Sequence, residues 1–513
     1  MLQWRHRFDI GSAAHLIHSA RLLQKMPHMN TDLIERLAGA GRLDRIFVGG
    51  EWVLPGGQDR SAVVDPSTEQ PIAEIALGNA QDVAMAVAGA RRAFPTWSSS
   101  SPQNRAALLD RIHGLILERT EAFAQAISHE MGCAIAVARD AQVPIAAEHI
   151  RVARDLAQTY PFITHRGDTA IMREAIGVCG LITPWNWPLY QITAKVGPAL
   201  AAGCTIVLKP SELSPLSALL FAEVVHDAGV PAGVFNLVNG HGTEVGGALS
   251  THPDVDMISI TGSTRAGVLV AQAAAPTVKR VAQELGGKSA NVILPDADLA
   301  RAIPAAVAAG MRNVGQSCSA PTRMIVLRER LAQVERIACE AASALVVGDP
   351  RSAQTTHGPV ANRAQFNRVQ EMIGVGIAEG ARLVCGGPGR PQGLERGYYV
   401  RPTLFSDVQP QMRIAQEEIF GPVLAVMTCD DEDDAVSIAN DSPFGLYGAV
   451  FTPDRERALR VMRGVRAGTL SQNHFRFDPS LPFGGFKQSG IGREGGADGL
   501  AAYTELKSML LTT

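Results

Sequence analysis

Several common functional patterns are missing from this chain of 513 residues, and each absence disfavours one class of protein. The seven cysteines never stand at C-x-x-C spacing, which disfavours a zinc site or a dithiol redox centre. The metalloprotease pattern H-E-x-x-H fails at His129-Glu130, because Cys133 occupies the position of the second histidine. No G-x-S-x-G supports a serine hydrolase. We therefore predict no metal site and no hydrolase of these classes.

The sequence also lacks a surplus of one charge and any long apolar run. The formal net charge is only -3, so the basic excess that binds nucleic acid or an anionic membrane is missing. Uncharged apolar stretches such as Pro198 to Leu208 are far shorter than the roughly 20 residues of a membrane-spanning helix. We expect no nucleic-acid and no membrane partner. The scattered cysteines favour a reducing, cytoplasmic location.

Acidic residues are almost missing from the first 28 residues, which contain several basic residues but only one acid, Asp9. Such a leader is either a targeting presequence or an extension before an internal start at Met26 or Met29. Lysine supplies only seven of the 47 basic residues, a composition typical of a GC-rich bacterial coding sequence. We therefore favour the extension and predict that residues 1–40 are peripheral or poorly ordered.

Predicted strands and helices alternate along most of the remaining chain. A hydrophobic content of 46% with 50 glycines is typical of a folded globular protein, and the length predicts two or three domains. Short apolar strands alternate with helices from Ile176 to Leu285, and the alternation restarts after Gly286. This pattern predicts two parallel sheets whose ligands bind at the carboxyl ends of the strands. The segment from Phe162 to Ile176 is typical of a hairpin that protrudes between helical parts.

Apolar residues at helical spacing predict three helices before this hairpin. The predicted helices are Gln81 to Phe94, Pro102 to Ala126 and Arg139 to Thr159.

The stretch from Glu284 to Arg323 carries the most chemistry. Glu284 opens a Gly-marked loop and Cys318 lies in another one, 34 residues later. A cysteine thiolate is a strong nucleophile, and a loop beside glycine can expose it and tune its pKa. The pair indicates a base and a nucleophile, although an ordinary buried cysteine and a solvated glutamate give the same pattern.

Two motifs follow predicted strands. Pro184 to Pro188 contains Asn186, whose amide N–H groups can stabilise an oxyanion or merely satisfy local main-chain groups. Lys209 to Glu212 offers a cation and a carboxylate at a strand end, the placement that binds the ribose of a dinucleotide. The carboxylate of Glu212 repels a 2'-phosphate and so favours NAD over NADP. A solvated helix start is the alternative interpretation.

Four further segments are weaker signals. Thr261 to Thr264 places main-chain N–H groups and a hydroxyl at a helix start, which can hold a phosphate. Gly240 to Gly246 nearly matches the dinucleotide fingerprint, but its third glycine comes one position late. Glu417 to Pro422 places an acid and an aromatic residue in a turn, and Pro482 to Glu494 is a Gly-rich loop.

Taken together, these segments resemble the aldehyde dehydrogenase superfamily over about residues 45 to 513. The motifs that carry the resemblance occur in the order of that family: Pro184 to Pro188, Lys209 to Glu212, Thr261 to Thr264, Glu284 to Lys288, Gly315 to Cys318, Glu417 to Pro422 and Pro482 to Gly490.

The resemblance implies a catalytic role for four residues. Cys318 attacks the aldehyde, Asn186 helps to hold the oxyanion, and Glu284 activates water to hydrolyse the thioester. Lys195 supports proton transfer. Members that pass the acyl group to coenzyme A generally lack the glutamate, so Glu284 favours a free acid product.

The resemblance also implies two sets of binding residues. The cofactor, NAD rather than NADP, is expected at Trp185, Lys209, Ser211, Glu212, Gly242, Gly262, Ser263, Leu285, Gly286, Glu418 and Phe420. The substrate pocket is expected at Trp187, Tyr190, Gln191, Ser317, Ser319, Phe475 and Phe477.

The substrate class has two interpretations. The aromatic residues Phe475 and Phe477 predict an apolar or aromatic aldehyde, which we favour. His474 and Arg476 lie in the same loop and would instead receive the carboxylate of a semialdehyde. Alternate residues of an extended loop cannot all face inward, and the sequence does not show which face does.

The fold implied by the resemblance is a Rossmann-like cofactor domain (residues 41–158 and 174–286) with a second α/β catalytic domain (residues 287–478). Residues 159–173 and 505–513 are expected to form a small β oligomerisation element, with its C-terminal strand at Ser508 to Leu511. An edge strand of this kind predicts a homodimer or homotetramer.

A protein of a different class, a catalytically inactive NAD-binding paralogue, is the competing hypothesis. Such a paralogue need not keep Cys318, Glu284 and Asn186 together. Assays with a panel of aldehydes discriminate between the two.

Overall fold

The computed structural model describes residues 33–511. Most of the predicted N-terminal extension and the last two residues of the predicted oligomerisation segment 505–513 lie outside the described residues. The predicted extension to residue 40 needs one correction. Helix Leu33–Gly39 buries Leu33 and Leu37 in the core of the first domain, and Arg36 pairs with Glu223 at 3.0 Å. This helix therefore belongs to the first domain.

The first sheet has eight strands, of which the five central ones are parallel. Their order across the sheet is Glu51–Val53, Ile46–Val48, Phe235–Leu237, Thr205–Lys209, Val178–Ile182, Met257–Thr261, Arg280–Glu284 and Gly490–Ile491. Three central strands are buried at every position, because helices cover both faces of a parallel sheet.

The helices of this half lie mostly between its strands. The α-helices are Leu33–Gly39, Ala80–Ser98, Pro102–Glu118, Thr120–Met131, Ile135–Val137, Val143–Thr159, Pro188–Ala202, Leu216–Asp227, Gly247–Thr251 and Thr264–Ala274. The π-helical turns are Ala138–Gln142 and Gly242–Gly246, and Ala275–Thr277 is a 3-10 turn.

The predicted single helix from Pro102 to Ala126 is wrong, because the structure has two helices that meet at Arg119. The main chain of Arg119 leaves the helical region there (φ -98°, ψ 21°) and its guanidinium pairs with Asp227. Neither proline nor glycine marks this break, so apolar periodicity alone could not reveal it.

The second sheet has seven strands, all parallel except the first. Their order is Arg382–Cys385, Thr403–Ser406, Val423–Cys429, Arg323–Leu327, Ala290–Ile293, Tyr447–Phe451 and Thr469–Gln472. The α-helices of this half and of the C-terminal segment are Leu299–Met311, Leu331–Ser343, Arg363–Ala378, Arg413–Gln416, Glu432–Asn440, Arg455–Gly464 and Gly496–Ala501. Arg312–Gly315 and Arg328–Arg330 are 3-10 turns. The predicted α/β class with two parallel sheets is confirmed.

Alternate residues of each sheet enter different hydrophobic cores, one on each face. In the first sheet, Cys179 and Leu181 belong to one cluster, whereas Val178 and Ile182 belong to another. In the second sheet, Val292 and Ile293 divide in the same way. Each sheet therefore has a helical layer on both sides, which leaves its strand ends for ligands.

Three small sheets complete the described residues. Strands Ile163–Arg166, Thr169–Ala175 and Thr504–Leu510 form one antiparallel sheet, in which the hairpin turns at Gly167 and Asp168. The other two pair Arg60–Asp65 with Gln70–Ala76 and Phe444–Gly445 with Phe486–Lys487. No α-helix among the described residues is long and apolar enough to span a membrane.

The C-terminal loop returns to the first sheet. Strand Gly490–Ile491 pairs antiparallel with Arg280–Glu284, so that Gly490 lies opposite Glu284. Residues 479–504 fell outside every predicted domain. The structure shows that they cover the strand end that carries Glu284.

Candidate active site

The loop that carries Cys318 has an unusual main chain. Asn313, Val314 and Gly315 all have positive φ, at 55°, 59° and 72°. Glycine tolerates this conformation, but a β-branched residue such as Val314 is strained there by about 1–3 kcal/mol. A Cβ on Gly315 would lie 2.0 Å from the Gly421 carbonyl oxygen. The loop therefore needs both its left-handed turn and its glycine to pass this close to the main chain of Gly421.

Side-chain amides hold this loop against the Pro184 to Pro188 motif. Asn186 donates from Nδ2 to the Gln316 carbonyl oxygen at 3.0 Å. Asn313 donates from Nδ2 to the Asn186 carbonyl oxygen at 2.8 Å, and the Ala361 N–H donates to Gln316 Oε1 at 2.9 Å. One N–H of the Asn186 amide is thus engaged, which fixes the direction of the second N–H near Cys318.

The thiol of Cys318 is half-buried and forms no disulfide. Burial raises its pKa above the ordinary value, and the carboxyl groups of Glu418, Glu284 and Glu494 raise it further. The thiol is therefore mostly protonated at neutral pH. A base must take up its proton before it can act as a nucleophile.

Glu284 ends a central strand, where its partner in register is Thr261. Its side chain is buried, and Oε2 has no hydrogen-bond partner among the described residues. Burial raises its pKa well above the ordinary value, and nearby Glu494 raises it further. Gly484 packs against it, since a Cβ there would lie 2.7 Å from Glu284 Oε1. A carboxyl with an unpartnered oxygen and a raised pKa is suited to exchange a proton near neutral pH.

Lys195 has a partner that the sequence did not reveal. Its fully buried ammonium pairs with Glu494 and donates to Ser259 Oγ at 3.1 Å. Glu494 closes the predicted Gly-rich loop, but it lies 299 residues from Lys195. No local pattern links two residues so far apart.

A cavity opens beside Cys318 and Glu284. It contains every residue that we predicted for the substrate pocket. These residues are Trp187, Tyr190, Gln191, Ser317, Ser319, Phe475 and Phe477. Besides Cys318 and Glu284, seven cavity residues were not predicted as pocket residues: Ile145, Thr261, Ala309, Arg312, Ala320, Phe483 and Glu494. Its wall is therefore mainly apolar and aromatic.

The aromatic residues of this wall contact one another. The rings of Trp187 and Tyr190 are 5.8 Å apart, and those of Tyr190 and Phe477 are 5.5 Å apart. Trp187 Nε1 donates to Ser317 Oγ at 2.9 Å. His149 lies 4.5 Å from the Tyr190 ring, and burial lowers its pKa to about 3, so it is neutral. These contacts preorganise an apolar surface beside the thiol.

The loop before Pro482 places its aromatic residues inward. Phe475 and Phe477 line the cavity, whereas His474 and Arg476 are exposed. Arg476 lies 3.6 Å from Asp478 and contacts a different surface groove. Neither side chain lines the cavity, so the structure gives no support to the hypothesis that His474 or Arg476 receives a substrate carboxylate.

A second cleft of about 1140 Å³ meets the first cavity at Cys318 and Thr261. Nine of the eleven residues predicted to bind a cofactor line it. They are Trp185, Lys209, Ser211, Gly262, Ser263, Leu285, Gly286, Glu418 and Phe420. The cleft lies at the carboxyl ends of the central strands, where α/β folds bind nucleotides.

Two features of this cleft suit it to a dinucleotide. Gly286 packs closely against Glu418, and the hydroxyl of Thr261 has no hydrogen-bond partner among the described residues. A Cβ on Gly286 would lie 2.4 Å from Glu418 Oε2, so glycine is needed beside that carboxyl. The Gly287 N–H donates to Glu418 Oε1 at 3.0 Å, and burial raises the pKa of Glu418 to about 7. The buried hydroxyl of Thr261 has no partner among the described residues. The cleft thus offers polar groups to a ligand at the junction with Cys318.

The two other predicted cofactor residues lie at the edge of this cleft. Glu212 accepts from Lys209 Nζ at 3.0 Å, and Lys209 lowers the pKa of the Glu212 carboxyl. His241 Nδ1 lies 3.6 Å from Glu212, and the exposed Gly242 follows it. A Cβ on Gly242 would contact nothing within 4 Å, so its glycine is not required by close packing. Glu212 is within reach of a ligand through Lys209, but no contact supports Gly242.

Among residues 33–511, no group of three or more histidine, cysteine, aspartate or glutamate side chains is arranged to hold a metal ion.

Fold and site together define an oxidoreductase with a cysteine between two cavities. A model of the aldehyde dehydrogenase family matches residues 52–509, and the chain belongs to that family. The predicted family membership is confirmed.

The similar proteins cover almost the whole chain. A 3-succinoylsemialdehyde-pyridine dehydrogenase from a Pseudomonas species is 50% identical over 90% of this chain and 98% of the relative. Among solved structures, an alanine-for-cysteine variant of aldehyde dehydrogenase C from Pseudomonas syringae, in complex with NAD+ and octanal, is 62% identical. That match has a TM-score of 0.91 and covers 92% of this chain and 97% of the other. An aldehyde dehydrogenase from Mycobacterium tuberculosis in complex with NAD+ is 41% identical, with a TM-score of 0.89, over 91% of this chain and 98% of the other.

Proposed function

We propose that this enzyme uses NAD to oxidise apolar or aromatic aldehydes and releases the carboxylic acid by hydrolysis. The observation that carries the proposal is the position of Cys318 at the junction of the two cavities. One cavity contains the predicted cofactor residues, and the other contains Glu284 and the aromatic wall. A nucleophile at that junction reaches both a cofactor and an aldehyde.

The first step is acylation of Cys318. The Cys318 thiol gives its proton to solvent, the thiolate attacks the carbonyl carbon, a C–S bond forms, and the carbonyl oxygen becomes an oxyanion. The second N–H of Asn186 and the N–H of Cys318 stabilise this charge. The residues of the second cleft would hold NAD, which would supply a hydride acceptor beside the substrate carbon, and a thioester would then remain on Cys318.

The second step is hydrolysis. Glu284 takes a proton from a water molecule, the water oxygen adds to the thioester carbon, and the C–S bond breaks to release the acid. The carboxylate of Glu494, which pairs with Lys195 and acts electrostatically on Glu284, accepts the proton from Glu284. The presence of Glu284 supports hydrolysis over transfer of the acyl group to coenzyme A.

NAD is proposed over NADP because of the carboxylate at the edge of the cofactor cleft. Glu212 is held by Lys209, and its negative charge repels a 2'-phosphate. The solved relatives in complex with NAD+ support the same choice.

We also propose that the protein is a homo-oligomer. The antiparallel sheet formed with Thr504–Leu510 leaves Leu506 and Leu510 exposed, and the edge strand Ile163–Arg166 is exposed throughout. An exposed apolar edge of this kind pairs readily with another copy. A cytoplasmic location stays a prediction from the sequence.

Formation of NADH with a panel of octanal, benzaldehyde and acetaldehyde tests the proposed function. We expect turnover with octanal and benzaldehyde, preference for NAD over NADP, and loss of turnover in Cys318→Ala with NAD binding retained. Binding of NAD without oxidation of any aldehyde would favour the inactive paralogue. Absence of both would contradict the proposal.

A further inference from the structure

Gln142 is a fully buried side chain that no motif of the sequence indicated. It ends the π-helical turn Ala138–Gln142, which continues directly into helix Val143–Thr159. A π-helical turn contains one extra residue and changes the direction of the side chains around it, and such turns are frequent at functional sites. The predicted helix from Arg139 to Thr159 therefore begins with an irregular turn that ends at Gln142.

The amide of Gln142 contacts the loop that carries Cys318. Its Nε2 donates to Asn313 Oδ1 at 3.2 Å, although the two residues are 171 positions apart in the chain. Nε2 also donates to Cys133 Sγ at 3.3 Å, but sulfur is a weak acceptor. The contact with Asn313 is therefore the main hydrogen bond of this amide.

Asn313 connects Gln142 to the residue that would stabilise the oxyanion. Asn313 Nδ2 donates to the carbonyl oxygens of Asn186 at 2.8 Å and Gln316 at 3.2 Å. Asn186 in turn donates from Nδ2 to the same Gln316 carbonyl oxygen at 3.0 Å. A chain of hydrogen bonds thus runs from Gln142 through Asn313 to Asn186.

Gln142 determines which way the Asn313 amide faces. If that amide were turned by 180°, its oxygen would face the two carbonyl oxygens that its nitrogen now contacts, and these atoms would repel one another. The N–H donor of Gln142 stabilises only the observed orientation, because it needs the Asn313 oxygen as its acceptor. The orientation that holds Asn186 in place therefore depends on Gln142.

An apolar side chain would be more stable at this position than glutamine. The neighbours of Nε2 include the sulfur atoms of Met131 and Cys133, and Oε1 is buried without a partner in the part of the chain that the structure describes. A buried polar atom without a partner lowers the stability of the fold. Packing alone therefore does not explain the amide, whereas its contact with Asn313 does.

We propose that Gln142 is a positioning residue for the oxyanion. Through Asn313 it holds the Cys318 loop against the Pro184 to Pro188 motif, so that the second N–H of Asn186 is directed at the substrate oxygen. This inference rests on the proposed function and adds to it a residue that lines neither cavity. Loss of the Gln142 amide should therefore slow the steps that form an oxyanion and spare the others.

Two reagents that modify Cys318 separate this role from a general loss of structure. 4-Nitrophenyl acetate acylates the thiolate through a tetrahedral oxyanion: a C–S bond forms, the C–O bond of the ester breaks and 4-nitrophenolate leaves. Iodoacetamide alkylates the thiolate by displacing iodide and forms no oxyanion. In Gln142→Met, which keeps a long side chain but removes the donor, acylation should slow on the order of 10- to 100-fold and alkylation less than about threefold. The burst of 4-nitrophenolate measures acylation, and the mass of the Cys318 peptide measures alkylation.

The matched control is Gln125→Met, because the amide of Gln125 donates to Glu121 on the same helix, at 3.2 Å. Both rates should be unchanged in this variant. Equal slowing of acylation and alkylation in Gln142→Met would show a structural role, and unchanged acylation would show that the amide contact has no effect. Either result would overturn the proposal.

Thermal unfolding shows whether each variant folds. If Gln142→Met does not fold, Gln142→Leu, which is smaller and also lacks the donor, is measured with the same two reagents and the same expected outcome. Oxidation of octanal by the wild type, with normal acylation in the variant, would overturn this inference alone. Acylation of the wild type by the ester without oxidation of any aldehyde would overturn the proposed function, and the two reagents would still decide the role of Gln142.

Discussion

The two cavities that meet at Cys318 are built from different kinds of structure. The cofactor cleft is formed largely by turns at the ends of neighbouring strands, with glycines where the main chain passes close to a carboxyl group. The substrate cavity is formed by side chains from distant segments, including Ile145, Arg312 and Phe477. Turn chemistry therefore determines the first surface, whereas tertiary packing determines the second.

This difference has a consequence for specificity. A surface made of main-chain turns tolerates few substitutions, since an added Cβ at Gly286 or Gly315 would collide with its neighbours. A surface made of side chains can change without altering the fold. We therefore expect variants of the two cavities to affect different kinetic parameters.

The largest effect is expected for Glu284→Gln. An amide cannot take a proton from water, so steady-state turnover should fall by roughly 10²- to 10⁴-fold. Each enzyme molecule should still form one NADH. Acylation of Cys318 does not need Glu284, which acts only in the hydrolysis step. Stopped-flow measurement of NADH separates the two phases. Normal steady-state turnover would show that the base is another residue.

A smaller and selective effect is expected for Gly286→Ala. The added Cβ displaces Glu418, which loses its hydrogen bond to the Gly287 N–H. The KM for NAD should rise on the order of tenfold, with the KM for octanal nearly unchanged. Gly247→Ala is the matched control, because Gly247 is helical and a Cβ there contacts nothing within 4 Å. A rise in the KM for octanal alone would contradict the claim that variants of the two cavities affect different kinetic parameters.

The mildest test is the pH profile. Burial raises the pKa values of both Cys318 and Glu284, and both groups must lose a proton to act. Activity is therefore lost as pH falls, and the rate should rise severalfold from about pH 6 to about pH 9. Initial rates with octanal at saturating NAD measure this. A rate that falls over this range would contradict the assigned protonation states.

Most of the predicted cofactor residues line one cleft, and the sequence could indicate this because they occur in short contiguous motifs. Lys209 ends one strand, Gly262 and Gly286 follow the ends of two others, and parallel strands bring such ends to one edge. Arg312 lay within the stretch from Glu284 to Arg323 that we singled out, but only the tertiary structure shows that it contacts Trp187 and Phe475. The loop with Phe475 and Phe477 showed alternation, and only the tertiary structure decided which face points inward. Likewise, no local signal indicated the pairing of Lys195 with Glu494.

The central claim is that Cys318 carries the acyl group and Glu284 releases it. Intact-mass spectrometry of Glu284→Gln, after mixing with NAD and octanal, tests this most directly. We predict an added octanoyl group that maps to the peptide of Cys318 and is missing when NAD is omitted. An unmodified Cys318, or an adduct on another residue, would contradict the account.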